Sequence, residues 1–379
     1  MSQTKVEAPF VEGGGGSSFK NLLINGDMQI WQRGTAATAS SGGYFTVDRW
    51  KLLENSDGAI TSEQSELSTA DKATTGCRNA LLIKCTSTDT SISSTQYCYT
   101  SQALEGQFLS HLGWGTTSAK TLTLSFWVKA YVAATYTIFI KKYDNTAYHI
   151  PIEYTVNSSN TWEKKTIIIS PTSGSTSLIT GANGAFDQDN GVALLLGFGL
   201  TWGSSYHGTS GTWSSSAHFS TSNQTNFLSS TDNTFYLTGV QLEVGDQATD
   251  LEQVPFDVQL QRCLRYFFRD NLYTSGVGAT GSIAAGQCNT TTRFDGQYDF
   301  PVLMRARPTG SVSGADKFRV QHAGSVTATT GVALEADGVA PSFKSTMIYA
   351  TVSSGLTAGR AGNLIHNNAT AHIDNDAEL

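Results

Sequence analysis

The stretch KTLTLSFWVKA, residues 120–130, alternates apolar and polar side chains over most of its length. The side chains that share one face of an extended chain here are Leu122, Leu124, Phe126 and Val128. A period of two is the pattern of a strand with one buried face. The stretch therefore predicts a β-strand packed on a hydrophobic core.

Similar runs recur through the first two thirds of the chain. TYTIFIKKY and EKKTIIIS are rich in β-branched and aromatic residues, which favour strands. VALLLGFGL, residues 192–200, is continuously apolar, as in a central strand buried on both faces. Turn-rich Ser, Thr and Gly segments separate these runs, and many short strands with such spacing predict a sandwich or jelly roll.

The whole chain is therefore predicted to be all-β, with four parts. Residues 1–18 form an N-terminal docking arm and glycine linker, and 19–252 form a jelly-roll β-sandwich. Residues 253–270 form a short linking helix, and 271–379 form a smaller C-terminal β-domain. The C-terminal part contains further strand-like runs such as SFKSTMIYATVS.

The linking helix is predicted from FDVQLQRCLRYFFRD, residues 256–270. Pro255 precedes it, and proline is favoured at the start of a helix. The apolar stripe at helical spacing consists of Phe256, Leu260, Leu264 and Phe267. Such a short helix needs a partner to bury this stripe. Two alternatives stay open: three copies meet around an axis, or each helix packs on its own sandwich.

Composition limits the function classes. Charged residues make up 15% of the chain and the net charge is −7, with no basic cluster, so we expect no nucleic-acid partner. The five cysteines include no C-x-x-C pair and are expected to be buried free thiols. The first 20 residues do not resemble a signal peptide, and no apolar run has the length of a membrane helix. We therefore expect synthesis in a cytoplasm and no membrane insertion.

The N-terminal arm is the predicted attachment point to a larger particle. TKVEAPFVE precedes four consecutive glycines and carries the apolar residues Val6, Phe10 and Val11. A short apolar segment on a glycine linker is typical of a docking peptide. A terminal segment without fixed structure is the alternative.

Catalytic chemistry has little support in the sequence. No two histidines have the spacing of a zinc pair, and neither a P-loop nor a nucleophile elbow is present. We therefore expect no enzyme activity and no cofactor. Asp187 and Asp189 place carboxylates at alternating positions, which suggests either a calcium ion or a polar turn.

An aromatic loop is the candidate ligand site. Residues 201–219 carry Trp202, Tyr206, His207 and Trp213 among serines and glycines. Flat rings beside small hydroxyl groups suit sugars, and long loops at a sandwich edge often carry binding sites. The alternative is that Trp202 and Trp213 anchor the loop to the core. Two other segments combine tryptophan with charge, at Arg33, Asp48 and Arg49. A ligand pocket is one interpretation, and cation–π stacking with a buried Arg–Asp pair is the structural alternative that we favour.

These segments also carry a family resemblance. Seven motifs occur along the chain in this order: NLLINGDMQIWQRGT, YFTVDRW, LEGQ, LTLSFWVKA, NTWEKKTIII, YLTGVQLEVGDQAT and RCLRYFFR. The resemblance continues through FPVLMRARPT to the C-terminus. The chain resembles phage tail-fibre and related virion surface proteins that contain a jelly roll of the carbohydrate-binding kind. The resemblance covers roughly residues 21–379.

The resemblance implies a homotrimeric appendage on the surface of a phage particle. Its expected role is a short fibre or spike that attaches to host surface glycans, held to a capsid or tail protein by the arm. A capsid-decoration protein, or head fibre, with a mainly structural role is one alternative. A polysaccharide depolymerase is the other.

Overall fold

A computed structural model describes residues 20–39, 42–271, 281–335 and 343–379. Val6, Phe10 and Val11 of the arm lie outside the described residues. The strands are β1 (Ala36–Ala39), β2 (Lys51–Asn55), β3 (Ala59–Glu66), β4 (Asn79–Ser87), β5 (Tyr97–Glu105), β6 (Leu122–Ala130), β7 (Thr135–Lys142), β8 (Tyr148–Thr155), β9 (Glu163–Ile169), β10 (Val192–Trp202), β11 (Thr234–Val244), β12 (Phe267–Asp270), β13 (Ser282–Cys288), β14 (Arg293–Asp299), β15 (Thr309–Val312), β16 (Phe318–His322), β17 (Ser325–Ala328), β18 (Gly331–Leu334), β19 (Ser345–Thr351), β20 (Ala361–His366) and β21 (Ile373–Asp376). The α-helices of these segments are α1 (Thr69–Thr75) and α2 (Phe256–Leu264).

The N-terminal part is a sandwich of two antiparallel sheets. Within the described segments, one sheet has the order β1-β3-β4-β11-β6-β9 and the other has the order β2-β5-β10-β7-β8. The predicted strand at residues 120–130 is β6, which lies between β11 and β9. Its alternating residues Leu122, Leu124, Phe126 and Val128 are fully buried in the core between the sheets. The alternation therefore predicted both the strand and its buried face.

The C-terminal part has its own core. A seven-stranded sheet has the order β17-β16-β20-β13-β14-β19-β18, and a three-stranded sheet has the order β12-β21-β15. One hydrophobic cluster joins them, with Phe294 and Ile348 from the larger sheet and Ile373 from the smaller. The predicted all-β fold is confirmed, and none of the described helices has the length and apolar character needed to cross a membrane.

Two helical predictions were wrong. The segment before residue 251 was expected to be strands and turns, but α1 lies within it, with Ser68 accepting from the Asp71 N–H and Gly76 ending it in a left-handed conformation. The linking helix was expected to reach residue 270, but α2 ends at Leu264. Phe267–Asp270 is instead β12, which pairs with β21. Cross-strand pairing with a segment about 100 residues away overrides the local helical pattern.

The predicted apolar stripe is divided by this change. Phe267 is buried in β12, while Leu260 and Leu264 are half-buried and Phe256 is 58% exposed on α2. The residues that α2 buries are Gln259 and Cys263. The structure therefore places one member of the predicted stripe in a sheet and leaves the other three partly accessible.

All five cysteines are buried and unpaired, Cys77, Cys85, Cys98, Cys263 and Cys288. Burial raises the pKa of each of these thiols, which keeps them in the neutral form. They behave as small apolar side chains of the two cores.

Candidate functional site

The outer face of the five-stranded sheet is organised by its cross-strand register. One row of residues that face away from the core consists of Leu53, Tyr99, Gly199, Thr137 and Glu153. The next row consists of Lys51, Ser101, Gly197, Phe139 and Pro151. Directly opposed residues in adjacent strands point to the same face, so both rows lie on one surface.

The central strand β10 has glycines at these outward positions, and aromatic rings occupy the space they leave. A Cβ on Gly197 would lie 2.2 Å from the Phe139 ring, and a Cβ on Gly199 would lie 2.6 Å from Trp202 Nε1. Any larger residue would displace a ring. The two glycines therefore allow rings to lie directly over the sheet.

A three-ring stack covers this part of the sheet. The Trp202 indole lies between Tyr99, with ring centroids 4.9 Å apart, and Phe219, with centroids 5.0 Å apart, and both pairs are nearly parallel. Trp202 is only 8% exposed. Both faces of its indole are therefore covered by protein, which corrects the expectation that Trp202 offers an open face to a sugar.

Partly exposed tyrosines lie in and near the stack. Tyr97, Tyr99, Tyr143 and Tyr206 form the tyrosine cluster, each is half-buried, and Tyr99 is itself a ring of the stack. Tyr206 packs edge-on against Trp202 at 5.0 Å, and Tyr97 lies 5.6 Å from the Tyr99 ring. Burial raises the pKa of Tyr99 well above its usual range, and the neighbouring phenols of Tyr97, Tyr143 and Tyr206 raise it further.

The hydroxyl groups of the tyrosine cluster are free of hydrogen bonds to the described protein. Within the described residues, no hydrogen bond joins any of these four hydroxyls to another protein group. A phenol combines an apolar ring with a donor and acceptor. The four phenols of the cluster therefore present ring surface at the outer face of the sheet. They also present hydroxyl groups that bond no other described residue.

Two other members of the predicted loop site have structural roles. Trp213 is 2% exposed, donates from Nε1 to Ser170 O at 2.9 Å and packs edge-on against Trp114 at 5.6 Å. The His207 Nε2 is 3.1 Å from Trp202 O, within its own loop. The structure thus brings Trp202, Tyr206 and His207 together but places Trp213 in the main core. The anchoring alternative describes both tryptophans.

Sequence reasoning missed Tyr97, Tyr99 and Tyr143. The available signal was the spacing: Tyr97 and Tyr99 alternate on β5, and Gly197 and Gly199 alternate on β10 with the same period. Alternating glycines in a buried strand indicate that another group approaches the sheet closely. The residues that approach could be identified only from the register.

The segment around Asp187 and Asp189, expected to be either a calcium site or a polar turn, lies near a buried lysine. Lys142 is fully buried and donates from Nζ to the backbone carbonyls of Asp144 at 2.9 Å, Thr146 at 3.4 Å and Asn183 at 2.6 Å. Burial lowers the pKa of Lys142, while the charges of Asp144 and Asp187 raise it.

Asp187 and Asp189 are exposed, and Asp189 Oδ1 accepts from the Gly191 N–H at 2.8 Å in a turn. Among the described residues, no group of three or more His, Cys, Asp or Glu side chains could hold a metal ion. Asp189 thus lies in a polar turn, the alternative to a calcium ion, and the ammonium of Lys142 bonds backbone carbonyls rather than these carboxylates.

Several of the segments that carry the family resemblance meet at the joint between the two domains. Arg33 forms ion pairs with Asp376 at 3.2 Å and Glu378 at 3.4 Å, and its guanidinium lies 3.5 Å from the centre of the Phe267 ring. Arg49 pairs with Glu378 and lies 3.4 Å above the Tyr266 ring. Two arginines of the sandwich therefore bind the C-terminal tail and the segment after α2.

A second set of contacts closes the same joint. Arg265 binds the buried Glu105 carboxylate through two hydrogen bonds of 3.1 and 2.8 Å, and the Tyr266 hydroxyl donates to the same carboxylate. Arg269 binds Asp374 in the same bidentate way, at 2.6 and 2.7 Å. The expectation of a structural Arg–Asp pair is met in part: Arg33 is 3.9 Å from Asp48, and the main partners lie in the tail.

Comparisons with known proteins give structural neighbours but no family. No family model and no curated protein matches the chain. A putative sugar-binding protein from Bacteroides thetaiotaomicron is 12% identical with a TM-score of 0.34, covering 59% of this chain and 100% of that one. A family 11 carbohydrate-binding module from Clostridium thermocellum is 13% identical with a TM-score of 0.30, covering 56% and 97%.

A third neighbour comes from a virus particle. The enzymatically active domain of tailspike protein 4 from bacteriophage CBA120 is 11% identical with a TM-score of 0.26, covering 60% of this chain and 22% of that one. No tail-fibre family is identified, and at these identities and TM-scores the likenesses do not assign a function.

Proposed function

We propose that the protein attaches a phage particle to glycans on the host surface, and that the tyrosine cluster is its binding site. The observation that carries this proposal is the set of four partly exposed phenols whose hydroxyls bond no other described residue. The protein acts by binding, and no catalytic role is assigned to any residue.

The physical basis is the match between this surface and a sugar ring. Sugar rings present apolar C–H faces and hydroxyl edges, which need ring surface and hydrogen-bond partners at the same place. Trp202 and Phe139 hold the floor of the site rigid because rings cover them on several sides. A rigid floor reduces the conformational entropy that binding costs.

The place on the particle and the oligomeric state are also part of the proposal. A homotrimer on the virion surface is supported by the resemblance described above and by a surface poor in charge. Large apolar side chains remain exposed at Phe256 on α2, Phe108 and Leu303, and such groups often mark an association surface. In this proposal the arm binds a capsid or tail protein.

Binding to a glycan array and to host cells tests the site. The variants Tyr206→Ala and Tyr143→Ala should each lower glycan binding about tenfold or more, the cost of losing a well-used aromatic contact. Tyr131→Ala is the matched control, because Tyr131 is 41% exposed and lies at the β6–β7 turn outside the cluster. Equal binding by all three variants and the native protein would place the site elsewhere.

The same samples test the other parts of the proposal. Light scattering at micromolar concentration should give the mass of three chains, and a mass of one chain would end the trimer. Incubation with host polysaccharide should leave its chain length unchanged. Shortening of the polysaccharide would instead identify a depolymerase.

A further inference from the structure

Lys141 and His149 face each other across β7 and β8. They are directly opposed in the register of these strands, so both point to the outer face that carries the tyrosine cluster. Lys141 is half-buried, and its Nζ lies 4.1 Å from the centre of the Tyr143 ring. One member of the tyrosine cluster is therefore in direct contact with this lysine.

His218 is the third basic side chain at this place. His149 packs edge-on against Phe219 with centroids 4.9 Å apart, and Phe219 directly follows His218. Burial, together with the charges of Lys141 and His218, lowers the pKa of His149 to about 4. We call Lys141, His149 and His218 the basic corner, since Lys141 and His149 are paired across β7 and β8 and His149 contacts Phe219 of the stack.

No carboxylate compensates the basic corner within the described residues. Lys141 forms no ion pair there, although the chain has 31 acidic and 24 basic side chains. The carboxylate on the same face of β8, Glu153, is four residues, or about 13 Å, from His149 and accepts from Asn223 at 3.1 Å.

Asp144 is the acidic residue next to Tyr143, and it accepts from the Asp187 N–H at 3.1 Å. It faces the Lys142 side of the loop, where Lys142 and Asp187 are its charged neighbours. The positive charge of Lys141 therefore has no acidic partner in the described residues, and His149 stays neutral because it is buried and because a second positive charge beside Lys141 is unfavourable. A bound anion would supply the missing partner.

We propose that the basic corner binds an acidic group of the glycan, a carboxylate or a phosphate on a sugar ring that stacks beside the tyrosine cluster. This inference rests on the proposed glycan site and makes it specific. Lys141 supplies the positive charge and the partly exposed His218 supplies an N–H donor, while His149 is buried. Neutral sugars would use the tyrosines alone.

The test compares matched acidic and neutral ligands. The probes are oligogalacturonate with its carboxyl-reduced product, and mannose 6-phosphate with mannose, placed on an array with host glycans. The native protein should prefer acidic members. Lys141→Gln should lower binding to the acidic member about tenfold and leave binding to neutral glycans unchanged. Lys164→Gln, which removes an exposed lysine from β9 in the other sheet, should change neither.

The outcomes separate the two proposals. Equal binding of acidic and neutral partners by the native protein, or equal loss of both in Lys141→Gln, would overturn the basic corner while the glycan site survives. Binding to no glycan at all would refute the glycan site and this inference with it. Preference for one acidic probe over the other would distinguish a carboxylate from a phosphate.

Discussion

The joint between the domains and the outer face of the five-stranded sheet are built from similar side chains but are completed differently. Both combine aromatic rings with cations, as in Arg49 over Tyr266 and Lys141 over Tyr143. At the joint, the arginines have carboxylate partners, and the side chains of Arg33 and Arg49 are only 7% and 1% exposed. On the outer face, Lys141 has no carboxylate partner in the described residues, and the phenols stay half-exposed.

This difference shows how residues that stabilise the fold can be told from residues that form a binding site. A buried charge without a partner costs several kcal/mol, so a stable joint must supply one within the protein. A binding surface can leave its polar groups to water until a ligand replaces it. Unused hydrogen-bonding capacity on a rigid, half-exposed floor is therefore a better sign of function than the aromatic residues themselves.

The largest expected effect comes from breaking the joint. Glu378→Ala leaves Arg49, which is 1% exposed, without its carboxylate partner and removes one partner of Arg33. We expect a loss of about 4 kcal/mol in the free energy of unfolding, measured by chemical denaturation. Glu66→Ala, which breaks the exposed pair with Lys72, should change it by less than about 1 kcal/mol. Equal effects of the two variants would show that the joint contributes no more to stability than an exposed ion pair does.

The next effect tests the floor of the outer face. Trp202→Ala should lower the free energy of unfolding by about 3 kcal/mol, because the indole is enclosed by Tyr99, Phe219 and Phe139. Tyr206→Phe, which keeps the ring and removes only the hydroxyl, should stay within about 0.5 kcal/mol of the native protein. A Trp202→Ala variant as stable as the native protein would mean that the indole is not part of the floor.

The sequence predicted much of the fold and little of the site, for a physical reason. Burial of Leu122 through Val128 follows from a period of two, which is local information. The place of Trp202 depends on Tyr99 and Gly199 being opposed across strands about 100 residues apart. The caps of α1, Ser68 and Gly76, were visible in the sequence, but the helix is too short for a strong periodic pattern.

Lys142 also shows that local sequence patterns do not predict contacts between distant segments, here near Asp187 and Asp189. The alternation of Asp187 and Asp189 is local, whereas the ammonium that lies among these loops comes from β7 and bonds carbonyls of two separate loops. Lys142→Met should therefore cost about 2 kcal/mol, since it leaves buried carbonyl groups without a donor. Lys164→Met is the matched control and should leave the free energy of unfolding nearly unchanged. Calcium or a chelator should leave the melting temperature of the native protein unchanged, and a calcium-dependent rise would contradict the assignment.

The smallest effect concerns the basic corner without ligand. The pKa of His149 is about 4 in the folded protein, against 6.5 for the unperturbed group, with burial as the main cause and Lys141 and His218 adding to it. As pH falls from about 6.5 to about 4, the unfolded chain binds a proton that folded His149 refuses, so stability is lost on acidification. From pH ~7 to ~6 the loss is at most about 0.7 kcal/mol, and less with solvent screening.

The variant His149→Asn should lose less stability over this interval than the native protein. Contributions from Asp48 and Asp270, whose pKa values burial raises to about 6, have the opposite sign and cancel in the comparison. Identical pH dependence of the two proteins would show that His149 is as easily protonated in the fold as in the open chain. The positive charge of Lys141 would then not disfavour a second positive charge at the basic corner.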